Sequence, residues 1–154
     1  GNITNWSQVG GEDHDIIPYQ RNKDSGSQTL FDKLVNLGEE LMDAPEDTRI
    51  GSMIGLLQAV ADYDNSIDAL GYTVYYYLTN MEQDKLDTSK LLAVDGVAPT
   101  NESIAKGKYP YVNDFYVVIR KDAPQKSPER ILYNWIKSEQ GKELAARENY
   151  VVKQ

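Results

Sequence analysis

Arg21, Ser25, Gly26 and Ser27 are the residues of this chain whose types and spacing could do chemistry. An arginine carries a planar fork of N–H donors that meets two oxygens of an oxyanion at once. The two serines add hydroxyls, and Gly26 lets backbone approach a ligand with no Cβ in the way. Asp24, beside Ser25, is a candidate partner for Arg21 or Lys23. This set suits recognition of a tetrahedral oxyanion such as phosphate. It does not suit bond breaking. Ser25 has no nearby histidine to activate it, and the chain has only one His and no Cys. Phosphoryl transfer would want a Gly-rich loop ending in Lys-Ser/Thr or a metal-holding acid pair, and neither is visible. The expectation is a binding protein, not an enzyme, with no cofactor and no metal. Taken alone, the same residues also describe an ordinary capped helix with an exposed Arg.

The elements that must position these residues are legible on either side. Asp15 to Gln20 reads as a short strand, and Ser25 to about Leu37 as a helix with Leu30, Phe31, Leu34 and Leu37 on its apolar stripe, stopped at Gly38. A strand that hands over to a helix through Ser-Gly-Ser collects unpaired backbone N–H groups at one point, where the helix dipole favours an anion. Gly51-Ser52 opens a second helix, with Met53, Ile54, Leu57, Val60 and Ala61 on one face and Asp64-Asn65-Ser66 at its end. Ser52 is its N-cap and a candidate for the same cleft. Ala69 to Tyr72 reads as a strand, and Tyr72 is a further cleft candidate. The tyrosines at 75 to 77 suit either strand or helical turn. Further strands are expected over Lys90 to Asp95 and Phe115 to Arg120, and a short helix over Thr100 to Ala105. A helix starts at Ser127-Pro128 with Ile131, Leu132, Trp135 and Ile136 as its buried face, bent or broken at Gly141. A strand or extended tail covers Tyr150 to Val152. Alternating strands and helices make the fold class α/β, with helices packed on a mixed, mostly parallel sheet.

The chain has 154 residues, 40% hydrophobic and 26% charged, which suits one folded domain. Its net charge of −8 argues against nucleic acid and against an anionic membrane surface. It does not argue against a recessed small anion held by local dipoles and one Arg. No apolar run approaches the roughly 18 residues of a membrane span. His14, among Glu12, Asp13 and Asp15, reads as a solvated surface residue, and the acids from Glu39 to Asp47 as a solvated face without a calcium-ligand ladder. Trp6 and Trp135 read as core or junction anchors. The start on Asn-Ile-Thr-Asn-Trp, after a Gly1 that suits a cleaved tag, suggests a fragment.

In their order, these pieces resemble the phosphate-binding proteins of bacterial ABC transporters, within the type II periplasmic binding protein superfamily. Ile3-Thr4-Asn5-Trp6 and Val9-Gly10-Gly11 resemble the family's entry into its second lobe. Arg21 with Ser25-Gly26-Ser27 resembles its Arg…Ser-Gly-Thr oxyanion loop, and Ala69-Leu70-Gly71-Tyr72 its Ala-Ile-Gly-Tyr strand. Asp95 to Thr100, Tyr109-Pro110 and Phe115 to Ile119 follow in the family's order. Ser138-Glu139-Gln140-Gly141 resembles the Ser-Pro-Glu-Gly-Gln junction, and Asn149-Tyr150-Val151 stands where Gly-Tyr-Val is usual. Two departures stand out. Ser27 replaces Thr and keeps the hydroxyl, and Lys23 stands where the family often has an acid, with Asp24 one step later.

The resemblance implies that residues 1–154 form a single domain, the second lobe plus a C-terminal helical segment, with most of the first lobe missing. In such proteins two lobes close on a dehydrated anion. Arg21 would give bidentate bonds, Ser25 and Ser27 hydroxyls, and Gly26, Ser27 and Gln28 backbone N–H groups. Asp24 is one candidate acceptor for a phosphate proton. The implied function is the solute-binding component of an ABC importer, outside the cytoplasmic membrane as a periplasmic protein or surface lipoprotein, with inorganic phosphate as ligand and permease subunits as partners. Two alternatives stay open: a binding protein for another oxyanion such as molybdate or sulfate, and a sensor or interaction module without transport. With half a site, the fragment would bind phosphate weakly or not at all. Its helix with Trp135, packed in the first lobe in family members, would fold back or exchange between copies, so a homodimer is expected.

Overall fold

The computed structural model describes residues 2–62 and 68–152. The expected end of the second helix at Asp64-Asn65-Ser66 lies outside them. The chain divides into two compact units, Gly1–Leu91 and Leu92–Gln154.

In the first unit, a 3-10 turn over Trp6–Val9 is closed by a capping box between Asn5 and Gln8. Four short strands follow: β1 (Ile17–Pro18), β2 (Gln20–Arg21), β3 (Arg49–Ile50) and β4 (Ala69–Leu70). They form two parallel pairs, β1 with β4 and β2 with β3. Pro18 has no N–H to give, so the β1–β4 ladder rests on its neighbours: Ile17 N donates to Asp68 O and Tyr19 N to Leu70 O, each at 2.8 Å. In the other pair, Arg21 lies opposite Ile50.

Each strand of the β2–β3 pair runs into a helix. β2 leads to α1 (Gly26–Leu34), and β3 to α2 (Met53–Ala61). Because the strands are parallel and in register, both helix N-termini lie at the same end of the pair. That is the end of an open α/β sheet where ligands bind. α2 packs on β2, β3 and β4, with Leu56 and Leu57 as its buried residues. Gly71, just beyond β4, allows this approach: a Cβ there would stand 2.7 Å from Val60 Cγ2 and 2.8 Å from Leu56 Cδ2. α1 ends at Leu34, short of the expected Leu37, because Leu37 and Gly38 both take positive φ, 51° and 85°. The tyrosine run enters a π-helical turn over Tyr77–Met81, the helical alternative of the two expected.

In the second unit the short helix is α3 (Asn101–Ala105), capped by Thr100 in a reciprocal box with Ser103. The strand expected over Lys90 to Asp95 is reduced to one antiparallel bridge, Val94 with Val97. Asp95 and Gly96 both have positive φ, 50° and 77°, as a primed two-residue turn requires, so the chain reverses before a strand can form. Phe115 to Arg120 is not a strand either. Strand propensity there has no ladder to join among the described residues, and Phe115, Tyr116 and Val118 stay exposed.

α4 (Pro128–Ile136) starts at Ser127-Pro128 as expected. Ile131, Leu132 and Trp135 are exposed, not buried, because no described element covers that face. The chain breaks at Lys137-Ser138, not at Gly141, and α5 (Glu139–Arg147) begins with Ser138 as its cap. Gly141 sits inside α5, where a Cβ would meet the Ile136 and Trp135 carbonyl oxygens at 2.3 and 2.4 Å. Its role is close approach of two helix ends. Tyr150 and Val151 form a tail without strand pairing, with the Tyr150 ring 4.9 Å from that of Phe115.

Candidate oxyanion site

Ser25 has extended backbone and caps α1, its Oγ accepting from Gln28 N at 3.2 Å. The Gln28 N–H is therefore engaged and does not join the donors at the helix start. The Gly26 and Ser27 N–H groups stand at the first two positions of α1, where a helix offers no internal partner. A methyl at Gly26 would meet no protein atom within 4 Å. The chain's own packing therefore does not demand a glycine there.

Arg21 is gripped from three sides. Its Nη1 donates to Ser27 Oγ at 3.2 Å, its Nε to Ile50 O at 3.1 Å, and its Nη2 to Gly51 O at 3.2 Å. The β2–β3 register delivers these carbonyls: Ile50 is opposite Arg21, and Gly51 is the next residue. The guanidinium thus lies where the two helix starts meet. Ser52 caps α2, its Oγ accepting from Gly55 N at 3.0 Å.

The hydroxyls share one logic. Ser25 accepts from Gln28 N, Ser27 from Arg21, and Ser52 from Gly55 N. Each uses its oxygen as an acceptor and keeps its own proton to donate. A cluster of donors around one fixed cation suits an anion rich in oxygen.

Tyr72 joins this site as structure. Its hydroxyl accepts from Arg21 N at 2.9 Å and donates to Gln28 Oε1, and its ring stacks on Phe31 with centroids 4.4 Å apart. Burial pushes the Tyr72 pKa up, and the nearby Asp32 carboxylate adds to the effect. The Arg21 N–H and charge oppose it.

Asp24 is exposed and makes no ion pair with Arg21 among the described residues. The carbonyls of Ile50 and Gly51 orient the guanidinium instead. His14 is not merely solvated: its Nδ1 lies 3.4 Å from Asp68 Oδ1. No group of acids and histidine among the described residues could hold a metal ion.

Sequence reasoning missed the Ile50 and Gly51 carbonyls and the Gln28 side chain. The carbonyls carry no side-chain signal. Gln28 did carry one, because Asp32 lies four residues on, the spacing at which a Gln–Asp pair meets on a helix.

A family model described as a PBP superfamily domain matches residues 1–140. The chain is 32% identical over 110 residues to the phosphate-binding protein PstS of Bacillus subtilis, covering 71% of this chain and 33% of that protein. It is 25% identical over 156 residues to PstS of Borreliella burgdorferi, covering 98% of this chain and 53% of that one. An ABC-type phosphate transport receptor from Vibrio cholerae superposes with a TM-score of 0.67 at 25% identity, over 99% of this chain and 59% of that one. The chain thus spans between a third and about half the length of the curated relatives it matches.

Proposed function

Because this chain belongs to the PBP superfamily, we propose that it is the second lobe of an extracytoplasmic solute-binding protein of an ABC importer. It supplies half of a site for inorganic phosphate. The observation that carries the reading is the place of Arg21. The guanidinium is fixed between two helix N-termini by Ser27 Oγ and the Ile50 and Gly51 carbonyls. A similar named function in both curated relatives supports the choice of phosphate.

The mechanism is binding without a chemical step. Arg21 neutralises the anion with charge-assisted bonds. The Ser25 and Ser27 hydroxyls and the Gly26 and Ser27 N–H groups donate to its oxygens, and Ser52 reaches from the second helix start. A face of the first lobe closes the site and excludes water, which strengthens each of these bonds. Asp24, exposed at the rim, is the candidate acceptor from a protonated phosphate. Permease subunits would be the partners, outside the cytoplasmic membrane. No helix among the described residues is long and apolar enough to cross a membrane. Isolated as this chain, the protein self-associates through its uncovered apolar faces, among them Ile131, Leu132 and Trp135 of α4.

Calorimetry of phosphate on the full-length protein, with sulfate and molybdate as controls, tests the reading. Phosphate binds the wild type, and Arg21→Ala weakens it by at least about tenfold. One charge-assisted bond is worth roughly 1.5–3 kcal/mol, and 1.4 kcal/mol is about tenfold in affinity. Preference for sulfate or molybdate would reassign the ligand. No binding of any oxyanion would overturn the reading and favour a sensor or interaction module.

A further inference from the structure

We propose that Tyr72, Gln28 and Asp32 are positioning residues for Arg21, a side-chain relay that holds strand β2 against the first turn of α1 and so aims the guanidinium at the oxyanion loop. The inference rests on the oxyanion reading for its purpose, but its geometry stands apart from it.

A partly buried backbone N–H needs a partner. For Arg21 that partner is the hydroxyl of Tyr72, which comes from beyond β4, 51 positions along the chain. A phenol has one proton, and Tyr72 directs it to Gln28 Oε1. Its lone pairs are thereby turned toward Arg21. Gln28 Nε2 donates in turn to Asp32 Oδ1 at 2.9 Å. The direction of the relay is therefore fixed at both ends. An ionised carboxylate only accepts, so the Gln28 amide must turn its nitrogen to Asp32 and its oxygen to Tyr72.

Gln28 is only 3% exposed, so water cannot take over either bond. The ring of Phe31, stacked on Tyr72, keeps the phenol from swinging. Burial holds Tyr72 in its protonated, donating form, with Asp32 and Arg21 the charged groups that face it.

The consequence falls on one distance. Arg21 leaves β2, and Ser27 sits beside Gln28 in α1. Tyr72 bonds both sides of that junction. Arg21 Nη1 and Ser27 Oγ, 3.2 Å apart, are thus set by a residue that need not touch the ligand. None of the three relay residues was expected to act this way from the sequence, although Tyr72 was a cleft candidate.

The test uses the full-length protein with Tyr72→Phe, which keeps the ring stack and removes the hydroxyl. A second pair is Asp32→Ala and Asp32→Asn, the Asn keeping an acceptor for Gln28. Three readouts are taken: phosphate calorimetry, hydrogen exchange of the Arg21 side-chain Nε–H by NMR, and exchange of the Leu56 amide as the measure of general opening. Tyr72→Phe is expected to weaken phosphate by about tenfold, the scale of one hydrogen bond in a buried network. Arg21 Nε–H exchange should accelerate while Leu56 stays protected. Asp32→Ala should do the same more mildly, and Asp32→Asn should restore the wild-type values. Phosphate affinity within twofold of wild type in Tyr72→Phe would overturn the relay and leave the phosphate site standing. Equal acceleration at Leu56 would also overturn it, since the residues would then serve general stability. If the wild type binds no oxyanion, the proposed function fails by itself. The relay is then decided by Arg21 Nε–H exchange: acceleration in Tyr72→Phe supports it, and no change overturns it.

Discussion

At the residue scale, the fold does not need the glycine at position 26. An added methyl meets no protein atom, and Ala favours a helix over Gly by up to about 1 kcal/mol. Gly26→Ala is therefore expected to keep or raise the melting temperature while weakening phosphate in calorimetry. Unchanged affinity would mean that the anion does not approach this backbone. Tyr72 makes a second residue-scale prediction. Its folded pKa is raised, so the protonated form stabilises the native state. That contribution is whole below the unfolded value near 10 and is lost as pH rises through the raised folded value. Stability measured by urea across alkaline pH should fall less steeply in Tyr72→Phe than in the wild type. Asp24 shows where residue-level reading fails: its neighbours in sequence suggested an ion pair, but backbone carbonyls supply the negative ends that Arg21 meets.

Among the elements, periodicity and capping residues did most of the work in locating helices. Ser25, Ser52 and Thr100 each cap a helix with a side-chain hydrogen bond, and each announces itself by type and place; Ser138 caps α5 in the same way, but the apolar spacing that runs on past it hid the break. Strands were harder to read. Leu91-Leu92 and Phe115 to Ile119 have the right residues, but a strand exists only through its partner, and partners are distant in sequence. The α4–α5 junction gives the element-scale prediction. Gly141→Ala drives a methyl into the Ile136 and Trp135 carbonyls, which are backbone and cannot step aside. Overpacking of this kind typically costs about 1–3 kcal/mol. Trp135 fluorescence should shift as its Nε1–Gln140 bond is lost, and urea unfolding should move to lower concentration. A stability gain would mean that the two helices part without cost.

For the whole molecule, the informative quantity is what remains uncovered. Phe115, Tyr116 and Val118 are exposed, as are Ile131 and Leu132. The second unit buries only Ala123 among its described hydrophobic residues, so its own core is small. Apolar surface of this kind favours association, opposed here by a net charge of −8. This chain alone should self-associate at high concentration, more strongly as salt screens the charge. Light scattering showing a strict monomer at high protein concentration and high salt would sink that expectation.

From the sequence alone came the α/β class, the starts of α1 to α4, the Arg21 and Ser25-Gly26-Ser27 loop, and an ordered resemblance that pointed to phosphate. These are local matters: caps, turns and apolar spacing act over a few residues, and their chemistry is written in residue types. Only the tertiary structure decided how Arg21 is held. It brought Ile50, Gly51 and Tyr72 to a residue that lies 29, 30 and 51 positions away. Parallel pairing of β2 with β3 brings the first two to that meeting, and parallel pairing of β1 with β4 brings the segment that carries Tyr72. No local pattern encodes it, because strand register depends on which apolar faces pack together, a property of the folded chain and not of any one segment.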